Sequence, residues 1–325
     1  MTKVMERVIR GGAAQRPPLP ASVVTLGSFD GVHLGHQALL ARTTSLARQR
    51  GVPSVAYTFD PHPTKVFSPE RASPSLMALD ERIRCLLAHG IDLVLVETFD
   101  AAFADLRPEH WVATYLVGPL HPQCVVVGHN FTYGRGGVGN VASLREAGDL
   151  HAFDLEVIAP VSVGSDFVSS SRVRELLSSA GDVAGARALL GRNFAVTGRV
   201  VRGDARGRSI GFPTINVDPA HELLPRRGVY ASRVEVLGEE GVVRPAVSNI
   251  GVRPTFEGEG VRVETHILDF SGELYGESVR IELVERIRDE QRFAGVEALV
   301  AQIGADVAAA RRLLLGPDAG TMAQS

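Results

Sequence analysis

Two histidines, His33 and His36, stand three residues apart in the stretch GSFDGVHLGH, which begins at Gly27 directly after the apolar run Val23-Val24-Thr25-Leu26. On the first turn of a helix, residues at that spacing share one face. Three readings are open: a metal pair, a packed core pair, or an anion site where unpaired backbone N–H groups and the helix dipole attract phosphate. Zinc needs further ligands, and none has suitable spacing nearby. Gly35 between the histidines leaves room for a phosphate oxygen, which favours the anion reading. Further on, VSSSRVREL places Ser169, Ser170 and Ser171 ahead of Arg174. Taken alone, hydroxyls before an apolar-periodic segment are an ordinary helix cap.

A separate cluster lies in VVRGDARGRSIGFPTIN, where Gly203, Gly207 and Gly211 alternate with Arg202, Arg206 and Arg208 before Pro213-Thr214-Ile215-Asn216. The GK[ST] ending of a P-loop is absent. Glycines and arginines still supply close backbone N–H groups and positive charge to a phosphate. Thr214 and Asn216, two apart on an extended segment, point the same way and can both reach a Mg²⁺-nucleotide. A basic hairpin turn is the plain alternative.

These residues need elements to position them. From Val23 to about Leu190, SVVTLG, VPSVAYTF, IDLVLVETF, QCVVVGHNF and LEVIAPV read as strands, separated by helix-like segments that Gly51 and Gly90 terminate. Strands apolar throughout, alternating with helices, predict a parallel sheet covered on both faces, a doubly wound α/β domain over residues 1–190. GSFDGVHLGH then sits at a strand's carboxyl end, where such sheets collect ligands. FDPHP, carrying Asp60 and His62, and GHNFTYGRGG, carrying Asn130 and Arg135, also begin where apolar runs stop. After Gly191 come FAVTGRVV, GVYASRVEV, RPAVSNIG, VRVETHIL and ESVRIELVERI, a strand-dense pattern that predicts a small antiparallel β-barrel over 191–325. A helix from about Val296 to Leu315 follows, with Leu299, Ile303, Val307 and Leu314 on one face, then a frayed tail.

Bulk properties narrow the class. With 325 residues and 45% hydrophobic content, the chain has room for two cores. A net charge of -3 gives no basic footprint for nucleic acid. No apolar stretch approaches the ~20 residues needed to span a bilayer, and the N-terminus lacks the apolar block of a signal peptide, so a cytoplasmic location without membrane contact is expected. Cys85 and Cys124 lie in apolar segments without CxxC spacing and read as buried free thiols.

HLGH resembles the HxGH signature of the nucleotidyltransferase superfamily, and SSSRVR resembles its second signature. GFPTIN is similar to the GxPTAN signature of riboflavin kinases, with LPRRGVYA, SNIGVRPTF and VETHILDF matching that family's later segments in order. Across Val23 to Phe293 the chain resembles the bacterial bifunctional riboflavin kinase/FAD synthetases. The resemblance implies a nucleotidyltransferase domain in which a phosphate oxygen of FMN attacks the α-phosphorus of ATP and pyrophosphate leaves. There, His33 and His36 steady the triphosphate without acting as nucleophiles. Gly27, Phe29, Gly35, Asn130, Ser169, Ser170 and Ser171 bind ATP, and Arg174 holds the leaving pyrophosphate.

In the implied riboflavin kinase barrel, Gly203, Arg208 and Gly211 bind phosphate, Thr214 and Asn216 contact Mg²⁺ and ATP, and Glu264 orients or deprotonates the ribityl 5′-hydroxyl. Asp60, His62 and, in RDEQRF, Arg292 and Phe293 are the implied flavin contacts. Substrates and products are riboflavin, FMN, FAD and ATP, and the chain is expected to be a monomer or weak homo-oligomer. Ile215 stands where the signature has alanine and, facing away from its neighbours, is expected to fill the barrel core. A nucleotidyltransferase acting on another phosphorylated molecule, or a flavin-binding regulator without catalysis, is disfavoured by the retained GFPTIN, VETHILDF and both histidines.

Overall fold

The structure, a computed structural model, describes residues 7–11, 18–203, 206–239, 241–255 and 258–316. The tail read as frayed lies outside these residues apart from Gly316. The chain forms two compact units, Met1–Ser75 with Leu79–Ser170, and Leu76–Ala78 with Ser171–Ser325.

In the first unit, strands β1 (Val8–Arg10), β2 (Ser22–Leu26), β3 (Ser54–Asp60), β4 (Leu93–Thr98), β5 (Pro122–Gly128) and β6 (Asp154–Ile158) form one sheet. Its order is β1-β4-β3-β2-β5-β6, and every neighbouring pair runs parallel. Helices α1 (Leu34–Arg50), α2 (Leu79–Ala88) and α3 (Val141–His151) lie among the connections. The five strands read from the sequence are all present. Strand β1, only three residues long, has no counterpart among them.

Burial on both faces makes the central strands apolar: Val23, Val24, Val55, Tyr57, Val94, Leu95, Val125 and Val127 are each fully buried. From β2 the chain winds to β3 and β4 on one side, then to β5 and β6 on the other. The carboxyl ends of β2 and β5 therefore flank the topological switch point, where open α/β sheets bind ligands.

In the second unit, helices α4 (Ser170–Glu175, whose first residue belongs to the first unit) and α5 (Val183–Leu190) precede a barrel. Its strands are β7 (Phe194–Val201), β8 (Ile215–Pro219), β9 (Gly228–Val236), β10 (Val243–Thr255), β11 (Gly258–Ile267) and β12 (Ser278–Arg288). They close in the order β7-β8-β11-β10-β9-β12, with every pair antiparallel. Closure leaves no unpaired strand edge.

Val196, Val234, Ala246, Ile250, Val263 and Ile281 are fully buried in this barrel. So is a hydroxyl ladder that satisfies itself across three strands: Ser232 Oγ lies 2.7 Å from Ser248 Oγ, which lies 2.8 Å from Thr265 Oγ1. Helix α6 (Val296–Leu315) has the bounds the apolar periodicity predicts. Ala310, Val307 and Leu314 pack against Val229, Ala231, Val247 and Leu268 of the barrel unit.

Candidate functional site

At the end of β2 the backbone turns sharply, with Phe29, Gly31 and Val32 at φ 51°, 83° and 40°. His33 then caps α1, its Nδ1 accepting the His36 backbone N–H at 3.3 Å. The two imidazoles stack with centroids 3.7 Å apart and planes 15° apart. A Cβ on residue 35 would come within 3.2 Å of the His33 ring, so the glycine gives the stacked pair its room. The fully buried Phe29 ring lies edge-on to His36 at 5.3 Å and under Gly27, and so supports these groups from behind.

The second serine cluster reaches the same place. Ser170 Oγ donates to the Asp30 carbonyl at 2.8 Å, and the Val168 carbonyl faces Gly35. Ser169 immediately precedes α4, whereas Ser171 and Arg174 lie along that helix, within the second unit. Among the described residues there is no group of three or more His, Cys, Asp and Glu that could hold a metal ion.

Two other loops meet the β2 end or its neighbours. At the end of β3, Asp60 is half exposed and His62 caps the short helix Pro63–Phe67, accepting from the Thr64 N–H at 3.3 Å. Asn130 is exposed in the turn after β5, its Oδ1 close to Gly128. Arg135 pairs with Asp105 at 3.6 Å on the surface. Arg82 of α2, which sequence reading passes over, is 5% exposed and donates to the carbonyls of Ser28 and Phe59. Nothing in its local sequence marks it, since an arginine on an amphipathic helix ordinarily faces solvent.

In the barrel the antiparallel register sets Asn216 opposite Glu264, and Glu264 opposite Asn249, so three polar side chains from β8, β11 and β10 stand in a row. The alternate face of β11 carries the buried Val263 and Thr265, so the row lies on the outside of the barrel wall. A cavity of about 320 Å³ lies over it, lined by Glu264, Asn249, Thr214, Phe212 and Phe293, with Leu299 and Ile303 of α6 among the residues on its apolar side. Arg288, whose guanidinium lies 5.9 Å from the Phe293 ring centroid, also lines it, and Arg292 is exposed.

A second cavity of about 420 Å³ is lined by Arg208, Thr214, Ile215, Thr265, Phe270 and Tyr275. Thr214 lines both. Arg208 bridges its mouth to Glu273 at 3.4 Å, an exposed pair that a phosphate can readily displace. Ile215 points away from Asn216 as expected, but it is half-buried and lines this cavity instead of being sealed in the core.

The glycines around this loop have distinct reasons. A Cβ on Gly203 would lie 2.1 Å from Asn216 Nδ2, and one on Gly207 2.3 Å from the Phe212 carbonyl. Gly211 adopts φ 88°. Asp204 and Ala205, between these glycines, lie outside the described residues. Asn216 Oδ1 accepts from Arg262 at 3.2 Å. Thr214 Oγ1 and Asn216 Oδ1 are hard oxygen donors, and two such groups suit Mg²⁺, which keeps several waters and is otherwise held by phosphate.

A doubly wound sheet with a capped histidine turn at its switch point, joined to a closed barrel with a carboxylate in the wall of a cavity, defines a two-domain nucleotide-dependent transferase. Comparison with known proteins is specific. Residues 16–172 match the FAD synthetase family and residues 190–314 the riboflavin kinase family. The chain is 40% identical over 306 residues to the bifunctional riboflavin kinase/FMN adenylyltransferase of Escherichia coli K12, covering 94% of this chain and 97% of that one. The protein of the same name from Bacillus subtilis is 37% identical over 290 residues, covering 88% and 90%. The chain belongs to the bifunctional riboflavin kinase/FMN adenylyltransferase family.

A crystal structure described as a macrolide-efflux protein from Streptococcus pneumoniae also matches, with TM-score 0.85, 32% identity and coverage of 94% and 99%. In the present chain no described helix is long and apolar enough to cross a membrane.

Proposed function

We infer that the barrel unit transfers the γ-phosphoryl group of ATP to riboflavin, giving FMN and ADP, and that the parallel-sheet unit transfers AMP from ATP to FMN, giving FAD and pyrophosphate. Motif order along the chain is the reverse of reaction order. The family matches at 16–172 and 190–314 support a functional division near residue 190, with 1–190 and 191–325 as the two halves.

The observation that carries the kinase reading is the Asn216–Glu264 pairing, with Glu264 in the wall of a cavity and Thr214 lining that cavity and its neighbour. Riboflavin occupies the cavity that Glu264 and Phe293 line, with its 5′-hydroxyl toward Glu264. ATP occupies the other, its phosphates toward Arg208 and toward Thr214, the residue common to both cavities, beyond which Asn216 stands on the Glu264 side, with Gly203 and Gly211 shaping the loop. Mg²⁺, when bound with ATP through Thr214 and Asn216, offsets charge on the phosphates. Glu264 accepts a hydrogen bond from the attacking hydroxyl and fixes its direction; a loose transition state asks little basicity of it.

In the other unit, backbone N–H groups at the start of α1, His36 and the hydroxyl of Ser169 bind the triphosphate, while Ser170 ties its segment to the Asp30 carbonyl. The motif implies that Ser171 donates to the phosphates and that Arg174 holds the leaving pyrophosphate, and Asn130 adds a directional amide. Asp60 and His62 face FMN, which attacks through a phosphate oxygen, so no covalent enzyme intermediate forms. Positioning and charge stabilisation are the whole task. ATP as common co-substrate fits a cytoplasmic monomer or weak homo-oligomer with small-molecule partners. Incubating the purified chain with riboflavin, ATP and Mg²⁺ yields FMN and then FAD on chromatography. Failure to form either product under varied redox and metal conditions overturns the reading.

A further inference from the structure

Arg82 is the most deeply buried guanidinium near the first site. Its Nη1 donates to the Ser28 carbonyl at 2.7 Å and its Nη2 to the Phe59 carbonyl at 3.0 Å. The Asp60 carboxylate stands 3.9 Å away. Nε is buried and has no hydrogen-bond partner among the described residues. Burial pushes the guanidinium below its ordinary pKa, while the charges of Asp30 and Asp60 oppose that shift.

Holding a charge out of water is costly, and an apolar side chain of similar volume would fill the same space more cheaply. The arginine offers something such a side chain cannot. Ser28 opens the turn that carries His33 and His36, and Phe59 is the penultimate residue of β3, just before Asp60 and His62. One planar fork therefore spans the carbonyl edges of two strand-end loops.

We propose that Arg82 is a positioning residue for adenylyl transfer, fixing the separation between the nucleotide loop at Ser28–His36 and the flavin loop at Phe59–His62. This rests on the reading of those loops as the adenylyltransferase site. The brace keeps the acceptor phosphate oxygen in line with the α-phosphorus of ATP. Lysine keeps the charge but presents it at one point, and cannot bridge both carbonyls in the same plane.

The test measures both activities of the full chain in Arg82→Lys, Arg82→Met and Arg82→Ala. Misplacement of reacting groups by about 1 Å costs on the order of 100-fold in rate. The kcat for FAD formation from supplied FMN is expected to fall by about that factor in Lys and Met alike. KM for ATP and for FMN should change little, and riboflavin phosphorylation should be unchanged. Added guanidinium, well below denaturing concentrations, restores part of the FAD rate to the Ala variant.

A Lys variant with wild-type kcat overturns the proposal, as does a KM effect with kcat intact. Parallel loss of both activities with a lowered melting temperature in all three variants reduces Arg82 to a stabilising residue and also overturns it. Absence of FAD formation by the wild-type chain would instead overturn the underlying assignment of the site.

Discussion

His33 Nδ1 accepts the backbone N–H of His36 while the two imidazoles stack 3.7 Å apart. In this arrangement Nδ1 of His33 bears no proton, so the neutral ring carries its hydrogen on Nε2. The two rings differ in burial: His33, 7% exposed, caps the helix, while His36 is half-buried beside it, so under the proposed function His36 is the better placed of the two to meet the triphosphate.

His36→Ala should reduce FAD formation from FMN by roughly 100-fold or more, the usual cost of removing one preorganised group from a transition state. FMN should still accumulate from riboflavin. Separate chromatographic assays of the two products check this, and equal loss of both would indicate misfolding or a single shared site.

Glu264→Gln should lower riboflavin phosphorylation by about 100-fold, the low end for general-base assistance. Supplied FMN should still be adenylylated at the wild-type rate. Because the reading assigns Glu264 mainly to orientation, the kinase pH–rate profile of the variant should keep its shape.

Gly203→Ala places a methyl group where Asn216 Nδ2 now lies, 2.1 Å from an ideal Cβ. Either the loop or Asn216 must move. Kinase activity should drop with a raised KM for Mg-ATP, and adenylyl transfer should persist, as steady-state kinetics with each substrate varied will show.

Arg311 donates to Asp269 at 2.6 Å, tying α6 to the turn just after β11. That hydrogen bond, foremost, holds the Asp269 carboxyl below its ordinary pKa. The stabilisation is present above the usual carboxylate range near pH ~4 and is lost as pH falls through the depressed native value. Thermal unfolding from neutral to strongly acidic pH should show Asp269→Asn less stable than wild type at neutrality, with the difference shrinking in acid. The pair is exposed, so the effect should be small and weaken with salt.

Much of this protein is local. The HxGH turn, the hydroxyls at the start of α4 and the Thr214-Ile215-Asn216 alternation are short-range patterns, and each takes its chemistry from spacing of a few residues. Wholly apolar runs in one half and alternating ones in the other give the parallel sheet and the barrel, because side-chain period and burial are written along each strand. Strand β1 escapes this because three residues are too few to show a period.

Pairings across the chain are another matter. That Asn216 faces Glu264 and Asn249 depends on barrel register, which no segment carries alone. Leu299, Ile303, Val307 and Leu314 share one helical stripe, yet the first two line the cavity while the last two pack on the barrel. Their periodicity is one and the same, and only what lies opposite separates them. Arg82 shows the limit most plainly: its partners are backbone carbonyls, a group every residue has, so its role exists only once the fold has brought Ser28 and Phe59 within reach of one guanidinium.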